Sequence, residues 1–369
     1  MITLPEIRKG KNQIVCLGNH HDIIQSILDF DYLSGKKEGS VTQIITARKG
    51  YAKYFFGRQE ILIPTASSGT VLKGLECSAP EKQPKKDSPH SFQSNPWFLN
   101  LASGRRTLSS TLGLLEGLTL QDSSQKTRKA AQKGQTLSGI FSGGVLFAEN
   151  VPELHSLEII NQTSSTDTPT RRPTDQPTRR HADPLIIGPA SVGLLVPGSL
   201  KLGPIGGITP TQIKESELTT PGSIAVLSAS GGMTNELINI AIGSGHHLSF
   251  ALAFGGDRFP ALSPRDAFLM AESDPETKTV LYYGELGGED EYELLKLREE
   301  GKFTKDVIAH IAGTVSSLFK EAPQFGHAKA KANKKSETAL AKRKALKEAG
   351  FQVSNSFSHF LDLTAKLQH

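Results

Sequence analysis

Three short apolar runs, each closed by glycines, restrict what this chain can fold into more than any other feature. They are SIAVLS at 223–228 followed by ASGG, LSFALAF at 248–254 followed by GGDR, and TVLYY at 279–283 followed by GELGG. Runs of five to seven residues have strand length, and the glycines behind them mark turns. Helical spacing fills the gaps: 233–242 after the first run and 290–300 after the third, with a further strand expected at 306–311. A final helix is expected over 336–349, stopped by Gly350, with Lys342, Arg343, Lys344 and Lys347 in its later turns complementing the helix dipole on a solvated face. Strands alternating with helices make a parallel sheet covered on its faces.

The first half repeats that logic. Residues 14–18 (IVCLG) form an apolar run ending in glycine, and over 22–32 Ile23, Ile24, Ile27 and Leu28 recur at helical spacing. That is the strand, turn and helix of a nucleotide-binding βα unit. Shorter apolar runs follow at 41–45, 60–63, 97–101 and 144–147. Two polar, basic stretches, 121–139 and 161–183, interrupt the pattern as expected insertions, the second carrying the repeat PTRRP/PTRR. The expected class is α/β: a Rossmann-like domain over 1–200, then a flavodoxin-like domain over 201–369.

Composition narrows the setting. The 369 residues contain no stretch of about 18 apolar residues, so no membrane span is expected, and the opening MITLPEIRKGKNQ has no apolar leader. Two cysteines, Cys16 and Cys77, build neither a disulfide framework nor a four-ligand metal site, and no metal is expected. A cytoplasmic setting fits. Basic clusters at 126–133, 171–180 and 329–347 contribute to a net charge of +5, but no aromatic residues interleave with them, so nucleic acid is not an expected partner.

Ligands of open parallel sheets bind beyond the carboxyl ends of the strands, where the three glycine-flanked turns fall. Glycines there bring backbone N–H groups close to an anion, and the following helix start favours negative charge. Glu285 stands inside the third turn. His327 lies in QFGHAKA, a glycine-preceded loop between a strand and a helix. An imidazole can attack phosphorus when a carboxylate fixes its other nitrogen, and Glu285 is the candidate carboxylate.

The segment 325–350, FGHAKAKANKKSETALAKRKALKEAG, resembles the phosphohistidine region of the ATP-citrate lyase and succinyl-CoA synthetase superfamily. So do LDFDY at 28–32, EILIP at 60–64, LNLAS at 99–103, IGPASVG at 187–193, SGGMTNEL at 230–237, GGDRFP at 255–260 and GELGG at 284–288. These stretches run in the family's order across nearly the whole chain outside the insertions. The resemblance implies an alpha-type (CoA-ligase) subunit, closest to the ligase part of ATP-citrate lyase or the small subunit of a citryl-CoA synthetase, that forms an acyl-CoA from a di- or tricarboxylic acid, CoA and ATP. His327 would carry phosphate and Glu285 would orient it, with Ser228, Ser230, Gly231, Gly232 and Gly326 around the phosphoryl group. Gly255, Gly256, Asp257, Arg258, Gly287 and Gly288 would meet the acid substrate. Asn19, His20, Ser103, Arg105, Glu149 and Asn150 would hold CoA. ATP and Mg2+ would bind mainly on an ATP-grasp beta-type partner.

The chain departs from the family's pattern at several positions. Lys329 stands where the family has glycine, Ala229 where it has arginine, and Ala261 where it has glycine. The first turn reads GNHH at 18–21, and the phenylalanine-threonine-glycine segment expected near 46–49 is missing. The altered turns and basic insertions leave a catalytically degenerate structural or regulatory subunit as one alternative; a succinyl-CoA synthetase alpha subunit is another, with GGDRF at 255–259 and the C-terminal helix favouring the lyase type.

Overall fold

The computed structural model describes residues 2–10, 12–17, 20–45, 60–62, 64–65, 76–77, 97–100, 144–147, 185–188, 190–256, 262–319, 323–327 and 330–367. Helix α1 (Leu4–Lys9) opens with a capping box between Thr3 and Glu6 and proline in its first turn. It leads into β1 (Ile14–Leu17), α2 (His21–Leu33), β2 (Val41–Ile45) and β3 (Glu60–Leu62). A small antiparallel pair, β4 (Pro64–Thr65) and β5 (Glu76–Cys77), precedes β6 (Trp97–Asn100), β7 (Gly144–Phe147) and β8 (Leu185–Ile187). The first sheet runs β3-β2-β1-β6-β7-β8 with every pair parallel. Leaving out the small pair, that is the 3-2-1-4-5-6 order of a doubly wound Rossmann sheet, with its switch point between β1 and β6. Both basic insertions lie outside the described residues.

The second sheet starts before residue 200, where the sequence put the boundary. Its edge is an antiparallel hairpin, β9 (Gly193–Val196) and β10 (Leu200–Leu202), turning through Gly198 at φ +67°. After α3 (Pro210–Glu215) come β11 (Pro221–Ser228), α4 (Gly231–Gly243), β12 (Leu248–Ala253), α5 (Pro264–Ser273), β13 (Thr279–Glu285), α6 (Asp290–Glu299) and β14 (Asp306–Ala312). Helix α7 (Ala339–Glu348), β15 (Gln352–Val353) and α8 (Phe357–Ala365) complete it. The order is β10-β9-β12-β11-β13-β14-β15, whose parallel part, β12 to β15, is the flavodoxin-like 2-1-3-4-5.

Alternation along β11 divides the core. Ala225 and Leu227 face Phe268, Leu294 and Leu346 of α5, α6 and α7, while Ile224 and Val226 face Leu237, Ile238 and Phe360 of α4 and α8. Two local expectations are corrected. Helix α5 was not foreseen, although Ser263 and Asp266 form its capping box. The last helix starts later than 336, at Ala339 under a Thr338 N-cap, because residues Lys335–Glu337 make a 3-10 turn. Gly350 does end it: at φ +86°, its N–H donates to Lys347 O while that of Phe351 donates to Leu346 O, a Schellman closure.

Between the two sheets, Arg8 of α1 grips Asp274 with a fork of bonds at 2.5 and 2.9 Å and also reaches Ser249 O. Burial pushes the Asp274 carboxyl up, but the bonds from Arg8 and Thr277 outweigh it and leave the group below its ordinary range.

His310, buried on β14, shares a 2.7 Å hydrogen bond with Ser354 and packs among Tyr283, Phe357 and Phe360. Burial, aided by the charge of Arg343, pulls its pKa down to about 4. Between that value and the ordinary ~6.5, the unfolded chain takes up a proton that the folded chain refuses. Stability therefore falls as pH drops from about 6.5 to about 4, by roughly 1–2 kcal/mol after allowance for solvent screening. Thermal midpoints measured across this window should drop, and His310→Gln should flatten the slope; an unchanged slope would refute the assignment.

Candidate active site

Register places three turns at one edge of the second sheet. Ser228, the last residue of β11, is level with Ala253 of β12 and Tyr283 of β13. The chain leaves β12 through Gly255 at φ +102°, leaves β13 through Gly287 and Gly288 at φ +86° and +60°, and leaves β11 into α4. Positive φ at these glycines lets the turns fold back sharply where a side chain would be strained.

Helix α4 begins at Gly231, earlier than the sequence suggested, under an N-cap from Ser230, whose hydroxyl accepts the Met233 N–H at 3.4 Å. Space around Gly232 is open: a Cβ there would meet nothing within 4 Å. The unsatisfied N–H groups of the first helical turn favour an anion by about 0.3–1 kcal/mol, or up to ~2 when partly buried. Ser228, expected to meet phosphate directly, is instead fully buried. Its hydroxyl donates to Tyr283 O at 3.0 Å and accepts the Ser230 N–H at 3.0 Å, so it shapes the turn from within.

His327 closes the arrangement. Its loop is pinned on both sides: Phe325 N–H donates to Ala330 O at 2.9 Å, and the Ala330 N–H and the Gln324 side chain both donate to His327 O. The ring Nδ1 lies 2.9 Å from both carboxylate oxygens of Glu285. On its other side the ring rests on Gly256, where an added Cβ would fall 2.6 Å from Cδ2 and 2.8 Å from Nε2. Because β11 lies between β12 and β13, a ring touching both Gly256 and Glu285 spans the end of β11, where α4 starts. Both side chains keep partial solvent access, 30% for His327 and 25% for Glu285. A carboxylate only accepts, so Nδ1 carries the proton and Nε2 is the nitrogen suited to nucleophilic attack.

The turn bearing Glu285 is held by side chains the sequence placed elsewhere. Lys342 is not on a solvated face: it is 1% exposed, and its Nζ donates to Glu285 O at 2.8 Å and Gly287 O at 2.6 Å. The same Nζ lies 2.5 Å from Glu291 Oε2, an ion-pair contact rather than an aligned hydrogen bond. Glu291, also buried, accepts the Glu285 N–H through Oε1 at 3.3 Å. Burial pushes its carboxyl up, and the Lys342 charge offsets part of that. Arg343 likewise turns inward, donating to Ile311 O and Asn355 O. No periodicity marks these cations as buried; only the carbonyls they meet in the fold do.

Of the remaining expected residues, Gly326 sits in the His327 loop with open space around it. His20 caps the start of α2, at the carboxyl end of β1 beside the switch point of the first sheet. Asn19, Ser103, Arg105, Glu149, Asn150, Asp257 and Arg258 lie outside the described residues, as do Ala261 and Lys329. Among the described residues no cluster of three or more His, Cys, Asp or Glu could hold a metal ion, and no helix is long and apolar enough to cross a membrane.

Comparison with known proteins bears on this geometry. The CoA-ligase family profile matches residues 227–352, which run from the end of β11 to β15. ATP-citrate synthase beta chain protein 1 of Arabidopsis thaliana is 35% identical over 335 residues, covering 90% of this chain and 46% of that protein. ATP-citrate synthase of Homo sapiens is 34% identical over 336 residues, covering 90% of this chain and 26% of that protein. Among solved structures, a variant of ATP citrate lyase from Methanosaeta concilii in complex with (3S)-citryl-CoA superposes with a TM-score of 0.70 at 27% identity. The match covers 96% of this chain and 49% of that one. The chain thus spans about half the length, or less, of these relatives.

Proposed function

Since this chain belongs to the superfamily of CoA-ligases that includes ATP-citrate lyase, we propose that it is the alpha-type part of an ATP-dependent acid–CoA ligase with His327 as its phosphate carrier. The carrying observation is the 2.9 Å contact of His327 Nδ1 with both oxygens of Glu285.

Nε2 of His327 attacks the terminal phosphorus of a nucleotide held with Mg2+ on an ATP-grasp partner, and the nucleoside diphosphate leaves. Glu285 keeps the Nδ1 proton in place, so the ring accepts phosphate on one nitrogen while its positive charge stays paired. The N–H groups at the start of α4 receive the phosphoryl oxygens. A carboxylate oxygen of the acid, seated near Gly255, Gly256, Gly287 and Gly288, then takes the phosphoryl group and the N–P bond breaks. The CoA thiolate adds to the acyl carbon, phosphate leaves, and the acyl-CoA remains.

The first unit fits CoA. The start of α2, with His20 at the N-cap position, lies at the switch point of the first sheet, where a helix N-terminus favours a pyrophosphate. The flanking Asn19, Ser103, Arg105, Glu149 and Asn150 are proposed as further contacts on the family resemblance. Citrate is the favoured acid, because the relatives are named for it and the solved neighbour holds citryl-CoA. A reducing, cytoplasmic setting belongs to this reading.

Reconstitution with an ATP-grasp subunit tests it. Supplied with ATP, Mg2+ and CoA, the complex should form a thioester from citrate in preference to succinate or acetate. If no acid in the panel yields a thioester, while the complex assembles and binds CoA, the degenerate-subunit alternative replaces the ligase.

A further inference from the structure

We propose that the buried pair Lys342–Glu291 is a positioning device for Glu285, and through it for the ring of His327; the inference rests on the phosphohistidine reading above. The pair grips Glu285 by its own backbone from both sides: Glu291 Oε1 accepts its N–H at 3.3 Å, and Lys342 Nζ donates to its C=O at 2.8 Å. Lys342 also donates to Gly287 O at 2.6 Å, and its charge is paired with Glu291 Oε2 at 2.5 Å. Tyr282 O–H adds a bond to Glu291 Oε1 at 3.3 Å. Gly284 makes room, since a Cβ there would collide with that same oxygen.

Position in the chain gives the clamp its meaning. Lys342 stands on α7, the helix entered from the His327 loop, whereas Glu291 stands on α6, the helix entered from the Glu285 turn. The pair therefore ties the element that follows the nucleophile to the element that follows its carboxylate. Stability alone is a poor reason for such a pair, because well-packed apolar residues of similar volume often do as well or better than a buried ion pair. What apolar packing cannot supply is a fixed direction for the Glu285 backbone. Outer hydrogen-bond partners that orient metal-ligating side chains change activity about 10- to 100-fold when removed, and a loss of that order is expected for a partner that orients Glu285, in line with the cost of a 1 Å misplacement.

The test uses the full chain and a small phosphoryl donor, potassium phosphoramidate, so that no partner is needed. Nε2 attacks phosphorus, the donor's P–N bond breaks, ammonia leaves, and Nδ1 keeps its proton against Glu285. Lys342→Met alone leaves Glu291 buried without its counter-charge, so Lys342→Met/Glu291→Gln is measured beside it, with both charges gone. Three readouts are taken: the melting midpoint, the tautomer of His327 by 15N NMR, and the rate of acid-labile phosphate incorporation. The wild-type chain should show the Nδ1–H form and take up label at His327. The double variant should stay folded, show mixed tautomers and load about 10- to 100-fold more slowly. A folded double variant with unchanged tautomer and rate overturns the proposal while leaving the phosphohistidine reading intact. Failure of both variants to fold also overturns it, since the pair would then be a structural element. A wild-type chain without the Nδ1–H form and without label removes the reading on which the proposal stands.

Discussion

His327→Ala should abolish acid-labile phosphate on the chain while leaving it folded. The ring lies on a loop, keeps partial solvent access, and touches Glu285 and Gly256. The turn around it is held by backbone bonds and by Gln324, none of which uses the imidazole. Substitution at such a site falls among those that change stability by less than about 1 kcal/mol. On the proposed function, phosphoryl transfer loses its nucleophile, and neither described neighbour replaces it: Glu285 gives an acyl phosphate that hydrolyses differently, and Ser228 is buried within its turn. Labelling from ATP through an ATP-grasp partner should therefore fall to background. Circular dichroism and the melting midpoint serve as the check on folding. Persistent label in this variant, stable to base and labile to acid, would place the phosphohistidine elsewhere in the chain.

The parts of the site that were legible in the sequence are those fixed by short-range rules. Strands β11, β12 and β13 announce themselves as apolar runs, and the glycines behind them mark the turns at their carboxyl ends. His327 and Glu285 could be named as partners because their chemistry requires one, but 42 residues separate them and only the sheet order makes them meet. What escaped depends on tertiary context. The run GLLV and the turn PGS hide an edge hairpin, β9–β10, that pairs with β12 rather than with the preceding parallel strands. Lys342 and Arg343 read as solvated because long cations usually are; burial becomes affordable only beside carbonyls brought in from β13 and β14. The two bonds of the Ser228 hydroxyl, to Tyr283 O and from the Ser230 N–H, were likewise hidden in the sequence because they depend on the neighbouring strand and turn.

Gly256→Ala should do nearly as much damage as loss of a catalytic group, through one added methyl. The residue follows β12, and its backbone is outside the left-handed region, so alanine is tolerated conformationally. The obstacle is the ring of His327: the new Cβ would lie 2.6 Å from Cδ2 and 2.8 Å from Nε2, well inside ordinary contact of about 3.5–4.0 Å. The strand behind Gly256 belongs to a buried sheet, whereas His327 stands on an exposed loop, so the ring gives way by roughly 1 Å. Movement of that size breaks the alignment of Nδ1 with Glu285 and takes Nε2 off the line to the start of α4. A 1 Å misplacement costs on the order of 10²-fold in rate, and that is the expected drop in phosphate loading, with stability altered by no more than about 1 kcal/mol. Gly243→Ala provides the contrast: it lies at the far end of α4 with nothing within 4 Å of its Cβ, and should stabilise the chain by about 0.5–1 kcal/mol without touching the loading rate. Equal loading rates in the two variants would mean that the ring does not work from its seat against Gly256.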